Sequence, residues 1–358
     1  MMRLVLTGLP ILFMALCASA AEEKPTAPQN PDAGKINDQV AKEIKQGAPK
    51  GKDPLQFPKG DGLRALIVGN SWTWPVKKPL PEIAKAAGIK DQHIIVTGFG
   101  SYGGHADNFF NKPEAKTVFA AIETGQWDVL TLILRAGYKA KPEHFTQWMD
   151  LCLKANPNMT FLIQEGWPRP SKLAGGPAGI KAEMADAKAV VANMEAALAK
   201  EQAEFKAIYD ELAKKYPGKV RMIPCGAAVV EMVRLYSEKK LPGYDCIMEW
   251  DYAGNVDSSH STINKHGLGA KGIFGDSGHL SEAGRLSQLL SYLFYASLYR
   301  KSPELIKDYA PAGIDASVDQ LMRKTAWKAI TGYPLSGIAD KDGDGVADGA
   351  KPPATKQP

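Results

Sequence analysis

Hydrophobic and polar positions divide the chain into three textures. Leu4 to Leu16 is one apolar stretch following Arg3; from 21 to about 62 large apolar side chains are almost absent; from Leu63 onward short apolar runs alternate with amphipathic stretches. In the third region Arg64 to Gly69, Ile94 to Thr97, Asp128 to Leu134, Met159 to Gln164 and Val220 to Ile223 are apolar runs of strand length, the pattern of strands covered on both faces. Between them Leu80 to Ala87, Pro113 to Glu123, Pro142 to Lys154, residues 181–215 and Gly226 to Lys239 have helical periodicity. Pro79 and Pro81 open the first of these helices and Gly88 follows its end. Such alternation predicts an α/β fold, a three-layer α/β/α sandwich on a central parallel sheet of about five strands, flavodoxin-like and built from right-handed crossovers.

From Leu241 to Gly275 the pattern dissolves into Gly, Asp, Ser, His and Asn, too long for an ordinary connector and therefore a candidate binding loop. Helices are expected again at Leu280 to Tyr299 and Ser317 to Ile330. The predicted division is a signal peptide (1–20), a flexible linker (21–62), one α/β domain (63–333) and a polar tail (334–358).

Composition narrows the possibilities. The chain has 358 residues, 44% of them hydrophobic and 23% charged, enough for one large core. Its net charge of +5 is spread along the sequence with no basic cluster interleaved with aromatics, so no nucleic-acid footprint is expected. Ala18-Ser19-Ala20 has the small-x-small pattern of a signal-peptidase site, and Leu16 is bulky where a lipidated Cys17 would want a small neighbour. No later stretch reaches the roughly 18 apolar residues of a membrane span. A secreted or periplasmic protein starting at about Ala21 is expected. It keeps Cys152, Cys225 and Cys246, an odd count that allows at most one disulfide without choosing the pair; burial as small apolar residues is the other option.

Candidate chemistry gathers at two distant places. In open α/β sheets ligands bind beyond the carboxyl ends of the strands, and the first strand ends in Gly69-Asn70-Ser71-Trp72-Thr73. A serine hydroxyl becomes an effective nucleophile only when a base takes its proton, and a histidine does this best when a carboxylate fixes its tautomer. Asp276-Ser277-Gly278-His279 supplies both partners within three residues.

On these residues the chain resembles the SGNH (GDSL-like) hydrolase family. Gly69-Asn70-Ser71 is similar to the Gly-Asn-Ser variant of the family's first block, and Asp276-x-x-His279 with Leu280, Ser281 and Gly284 to its last; the resemblance spans roughly 63–300. It implies Ser71 as nucleophile, His279 as base and Asp276 as its orienter. It also implies an oxyanion site made by the Ser71 amide and a second-block glycine, Gly103 or Gly104, with Asn70 alongside. The family's third block places an asparagine after the third strand, where this chain has Arg135-Ala136-Gly137-Tyr138. Removing one oxyanion donor typically costs about 100- to 1,000-fold in rate, so either Arg135 or another group takes its place or the activity is reduced or lost.

The implied function is hydrolysis of an ester, with a small ester or an acylated polysaccharide as substrate and no cofactor for catalysis. The alternative is a non-catalytic carbohydrate-binding module on the same scaffold, with Trp72, Trp74, Trp167 and Trp250 as candidates for a sugar-binding cleft. His105, His260 and His266 read as loop histidines. Near the C-terminus Asp340, Asp342, Asp344 and Asp348 alternate with other residues, with Val346 offering its carbonyl and Gly345 at the sixth position. This spacing suits Ca²⁺, although position twelve is Lys351 rather than Glu.

Overall fold

A computed structural model of the chain describes residues 62–90, 92–98, 106–112, 115–135, 139–170, 187–248, 271–275, 278–281 and 284–349. The signal-peptide and linker readings lie outside these residues, as do Gly103, Gly104, His105, Trp250, His260, His266 and Asp276.

Five parallel strands form the central sheet: β1 (Arg64–Gly69), β2 (His93–Gly98), β3 (Val129–Leu134), β4 (Thr160–Glu165) and β5 (Val220–Ile223), in the order β2-β1-β3-β4-β5. All six residues of β3 are buried, which is why it reads as an apolar run interrupted only by Thr131. Alternate β1 side chains serve opposite cores, Ala65 and Ile67 on one face, Leu66 and Val68 on the other.

Helices cover both faces. On the Ile67 face pack α1 (Pro79–Ala86), α6 (Cys225–Ser237), α7 (Gln288–Tyr299) and α8 (Ala316–Thr331). The Leu66 face carries α2 (Ala106–Phe110), α3 (Ala115–Glu123) and α4 (Pro142–Ala155). The 29-residue α5 (Ala187–Lys215) joins both cores, through Val190, Met194 and Leu198 on one and Phe205 and Leu212 on the other. Constant crossover handedness requires this split. The chain moves outward from β1 to β2 with α1 on one face, then reverses past β1 to β3 and β4 with α3 and α4 on the other. The reversal leaves a crevice outside the carboxyl ends of β1 and β3.

The structure departs from the sequence reading in three places. Two short strands, β6 (Cys246–Met248) and β7 (Gly272–Phe274), pair in parallel at either end of the segment that shows no pattern. The helix expected from Leu280, α7, begins at Gln288, because Leu280 bridges antiparallel to Phe274 and its backbone is committed there. Residues 334–349, read as polar tail, pack on the domain: Ile338 and Ala347 are buried, Val346 bridges Lys301, and the Ala347 amide donates to the Arg300 carbonyl at 3.0 Å. Cys152, Cys225 and Cys246 are buried free thiols, and burial pushes Cys152 up to about 12.

Candidate active site

Beyond Gly69 the chain closes a tight turn on Asn70. The Asn70 carbonyl accepts from the amides of Thr73 (2.7 Å) and Trp74 (3.1 Å), and its Oδ1 accepts from the Trp72 amide (2.9 Å). Asn70 is fully buried; its Oδ1 holds the turn from within, and its Nδ2 has no hydrogen-bond partner among the described residues. Gly69 is required by contact: a Cβ there would stand 2.1 Å from Thr73 Oγ1. Thr73 Oγ1 in turn donates to Gln164 Oε1 (2.6 Å), tying the turn to β4. Half-buried Ser71 sits on this turn, and among the described residues nothing accepts a hydrogen bond from its backbone amide.

His279 arrives from a different element. After β7 the chain doubles back: the Gly275 amide donates to the His279 carbonyl (3.0 Å) and the Ser281 amide to the Ile273 carbonyl (2.9 Å). Buried Ser281 accepts from the Gly284 amide (2.5 Å), and a Cβ at Gly284 would stand 2.2 Å from the Gly272 carbonyl oxygen. The Leu280, Ser281 and Gly284 spacing therefore locks the return onto β7 and fixes where His279 points. Its Nε2 lies 2.7 Å from Ser71 Oγ. For the serine hydroxyl to donate to Nε2, the imidazole proton must sit on Nδ1. Asp276, expected at Nδ1, is outside the described residues, as are Gly103 and Gly104; β2 ends at Gly98, level with Gly69.

Arg135 follows β3 and is buried. Its Cζ lies 3.7 Å from the Trp72 ring centroid, while the Trp167 ring stacks on Trp72 at 4.1 Å and 11°. A guanidinium and an indole that close to one ring must occupy its opposite faces. Trp72, next to the nucleophile, is thus clamped between a cation and an aromatic, contacts worth about 2 kcal/mol and about 1 kcal/mol when desolvated. Trp72 and Trp167 are each only 3% exposed, so neither lines a sugar-binding cleft. Trp167 Nε1 also donates to the Gly278 carbonyl (2.9 Å), linking the clamp to the residue before His279.

Several residues here were not singled out from sequence. Gln164 and Glu165 end β4, both fully buried, and Arg169 lies two residues beyond Trp167. The available signal was a polar pair closing an apolar strand at the sheet end where Ser71 sits. Burial pushes the Glu165 carboxyl up to about 7, against accepted bonds that oppose it, including one from Gln202 Nε2 at 3.4 Å.

The aspartate-rich segment forms a separate cluster. Carboxylate oxygens of Asp340, Asp342 and Asp344 lie within 4.8 Å of one another. Asp340 also accepts from the amides of Gly343 (3.0 Å) and Gly345 (3.1 Å) and from Trp327 Nε1 (2.9 Å), and Gly345 has a φ of 80° that suits glycine. Asp344 accepts from the Val346 amide (2.9 Å), and Asp348 from the Lys341 amide (3.4 Å).

No family model matches this chain, and no curated protein matches it. Among solved structures, a DUF4886 family protein from Bacteroides uniformis superposes with a TM-score of 0.46 at 14% identity, covering 76% of this chain and 96% of that one. The periplasmic domain of a lipopolysaccharide acetyltransferase from Salmonella ser. Paratyphi A gives a TM-score of 0.25 at 12% identity, covering 40% of this chain and 63% of that one.

Proposed function

We propose that this chain is an exported serine hydrolase of the SGNH kind that cleaves an ester, with carbohydrate O-acetyl groups among its candidate substrates. The 2.7 Å approach of Ser71 Oγ to His279 Nε2, outside the carboxyl ends of the strands, carries the reading. In the first half-reaction Ser71 Oγ attacks the ester carbonyl carbon as His279 Nε2 takes its proton. The carbonyl π electrons move onto oxygen, where the Ser71 amide and a second-block glycine amide hold the charge. Collapse expels the alcohol, which receives the proton from His279, and water then repeats the sequence on the acyl-enzyme. Asp276 is assigned to hold the imidazole.

The fit to this chemistry is local. Gly69, Asn70, Thr73 and Gln164 fix the nucleophile's turn, and the β7 return fixes the base. Arg135 packs its guanidinium on Trp72, so in this reading it braces the turn where the family's asparagine would serve as oxyanion donor. The carbohydrate-binding alternative drew on four tryptophans, and two of them, Trp72 and Trp167, pack in the core instead. Hydrolysis of 4-nitrophenyl acetate by the wild-type chain, lost in Ser71→Ala, is the expected result; a folded protein inert toward activated esters would favour binding without catalysis.

A further inference from the structure

We propose that Arg169 selects esters carrying a carboxylate close to the scissile bond, an inference that rests on the hydrolase reading and names its substrate class. Arg169 Cζ lies 5.2 Å from the centroid of Trp72, the residue after the nucleophile. A Cβ at Gly278, the residue before the base, would stand 2.9 Å from Arg169 Nε and 3.1 Å from Trp72 Cζ2. Glycine at 278 is what lets the arginine come this near the Ser71–His279 pair.

The side chain is half-buried, and among the described residues no carboxylate pairs with it and no group hydrogen-bonds to it. By contrast, the buried Arg323 donates to Asp319 at 2.7 Å and to three backbone carbonyls. A half-buried guanidinium whose donors have no partner among the described residues is poised for an external anion, and its planar fork matches a carboxylate bidentately.

Its backbone is also held in advance. Arg169 precedes Pro170, which biases it toward extended conformations, Pro168 has its own φ fixed, and Trp167 is anchored both on Trp72 and on the Gly278 carbonyl. Little ordering remains to be done when an anion binds. A guanidinium beside the neighbours of both reacting groups, Trp72 and Gly278, is thereby available to an external anion.

The test compares kcat/KM for 3-acetoxybenzoate with that for its neutral methyl ester, in wild type and in Arg169→Gln. The anionic-to-neutral ratio should fall about 10- to 100-fold in the variant, the span expected for hydrogen bonds to a charged group. Partial unfolding lowers both esters alike and leaves the ratio unaffected. In the wild type, raising ionic strength should depress turnover of the anionic ester more than that of the neutral one. A ratio unchanged within twofold, or equal loss on both esters, overturns the proposal. If neither ester is turned over, the hydrolase reading fails separately. Calorimetric binding of 3-acetoxybenzoate to the Ser71→Ala chain then decides: binding lost with Arg169→Gln sustains carboxylate recognition, and no binding overturns it.

Discussion

Ser71 Oγ and His279 Nε2 stand 2.7 Å apart although 208 residues separate them in sequence. Two independent devices produce that distance: the Asn70-closed turn at the end of β1, and the doubling back of the chain on β7. Replacing His279 by Ala should lower kcat on an activated ester about 100- to 10,000-fold, with the melting temperature little changed because the ring is half-buried and its backbone makes the lock. Steady-state kinetics and a thermal melt on the same preparation check this; full activity would show that another group serves as base.

Gly69→Ala tests the turn. The added Cβ would meet Thr73 Oγ1 at 2.1 Å, and the atoms it meets are the branched atoms of a stiff side chain rather than a flexible tip. Overpacking of this kind costs about 1–3 kcal/mol, and the displaced turn should carry Ser71 away from His279 and reduce turnover as well. Denaturant titration and esterase assay should move together; an unaltered midpoint would mean the turn yields without strain.

Glu165 should impose a pH dependence on stability. The folded state keeps its proton up to about 7, whereas the unfolded chain releases it near the ordinary 4.5. Between those values the native state binds more protons, so the contribution is full below 4.5 and is lost as pH rises through 7, roughly 3 kcal/mol in all. Glu165→Gln keeps a neutral side chain and should flatten the stability profile across this window. Urea unfolding at pH 5 and 7.5 measures the difference; an equally steep profile in the variant would place the titration elsewhere.

The regular part of the molecule was legible because both-face burial writes itself into sequence. β3 reads as an apolar run broken only by Thr131 and β5 as one broken only by Arg221, and the helices between them show one apolar stripe each. What escaped was structure too short to have a period. Cys246–Met248 and Gly272–Phe274 are three-residue strands that gain their pairing from each other across a long intervening segment. Leu280 continues the apolar spacing of the helix after it, and only the tertiary bridge to Phe274 shows that it belongs to the turn. Residues 334–349 look polar because Ile338 and Ala347 are isolated among acidic neighbours, yet these two suffice to seat the segment. At the candidate site Ser71 and His279 were legible as motif residues. Arg169 and Gln164 were not, because their significance comes from contacts with Trp72, Gly278 and Thr73 that no spacing encodes.

The central claim, that Ser71 is an activated nucleophile, is tested most directly by treating the folded chain with a fluorophosphonate probe and locating the adduct by peptide mass spectrometry. The account predicts one covalent adduct on Ser71, absent in Ser71→Ala and strongly reduced in His279→Ala. A folded wild-type chain that takes up no probe, or an adduct that persists in Ser71→Ala, would contradict it.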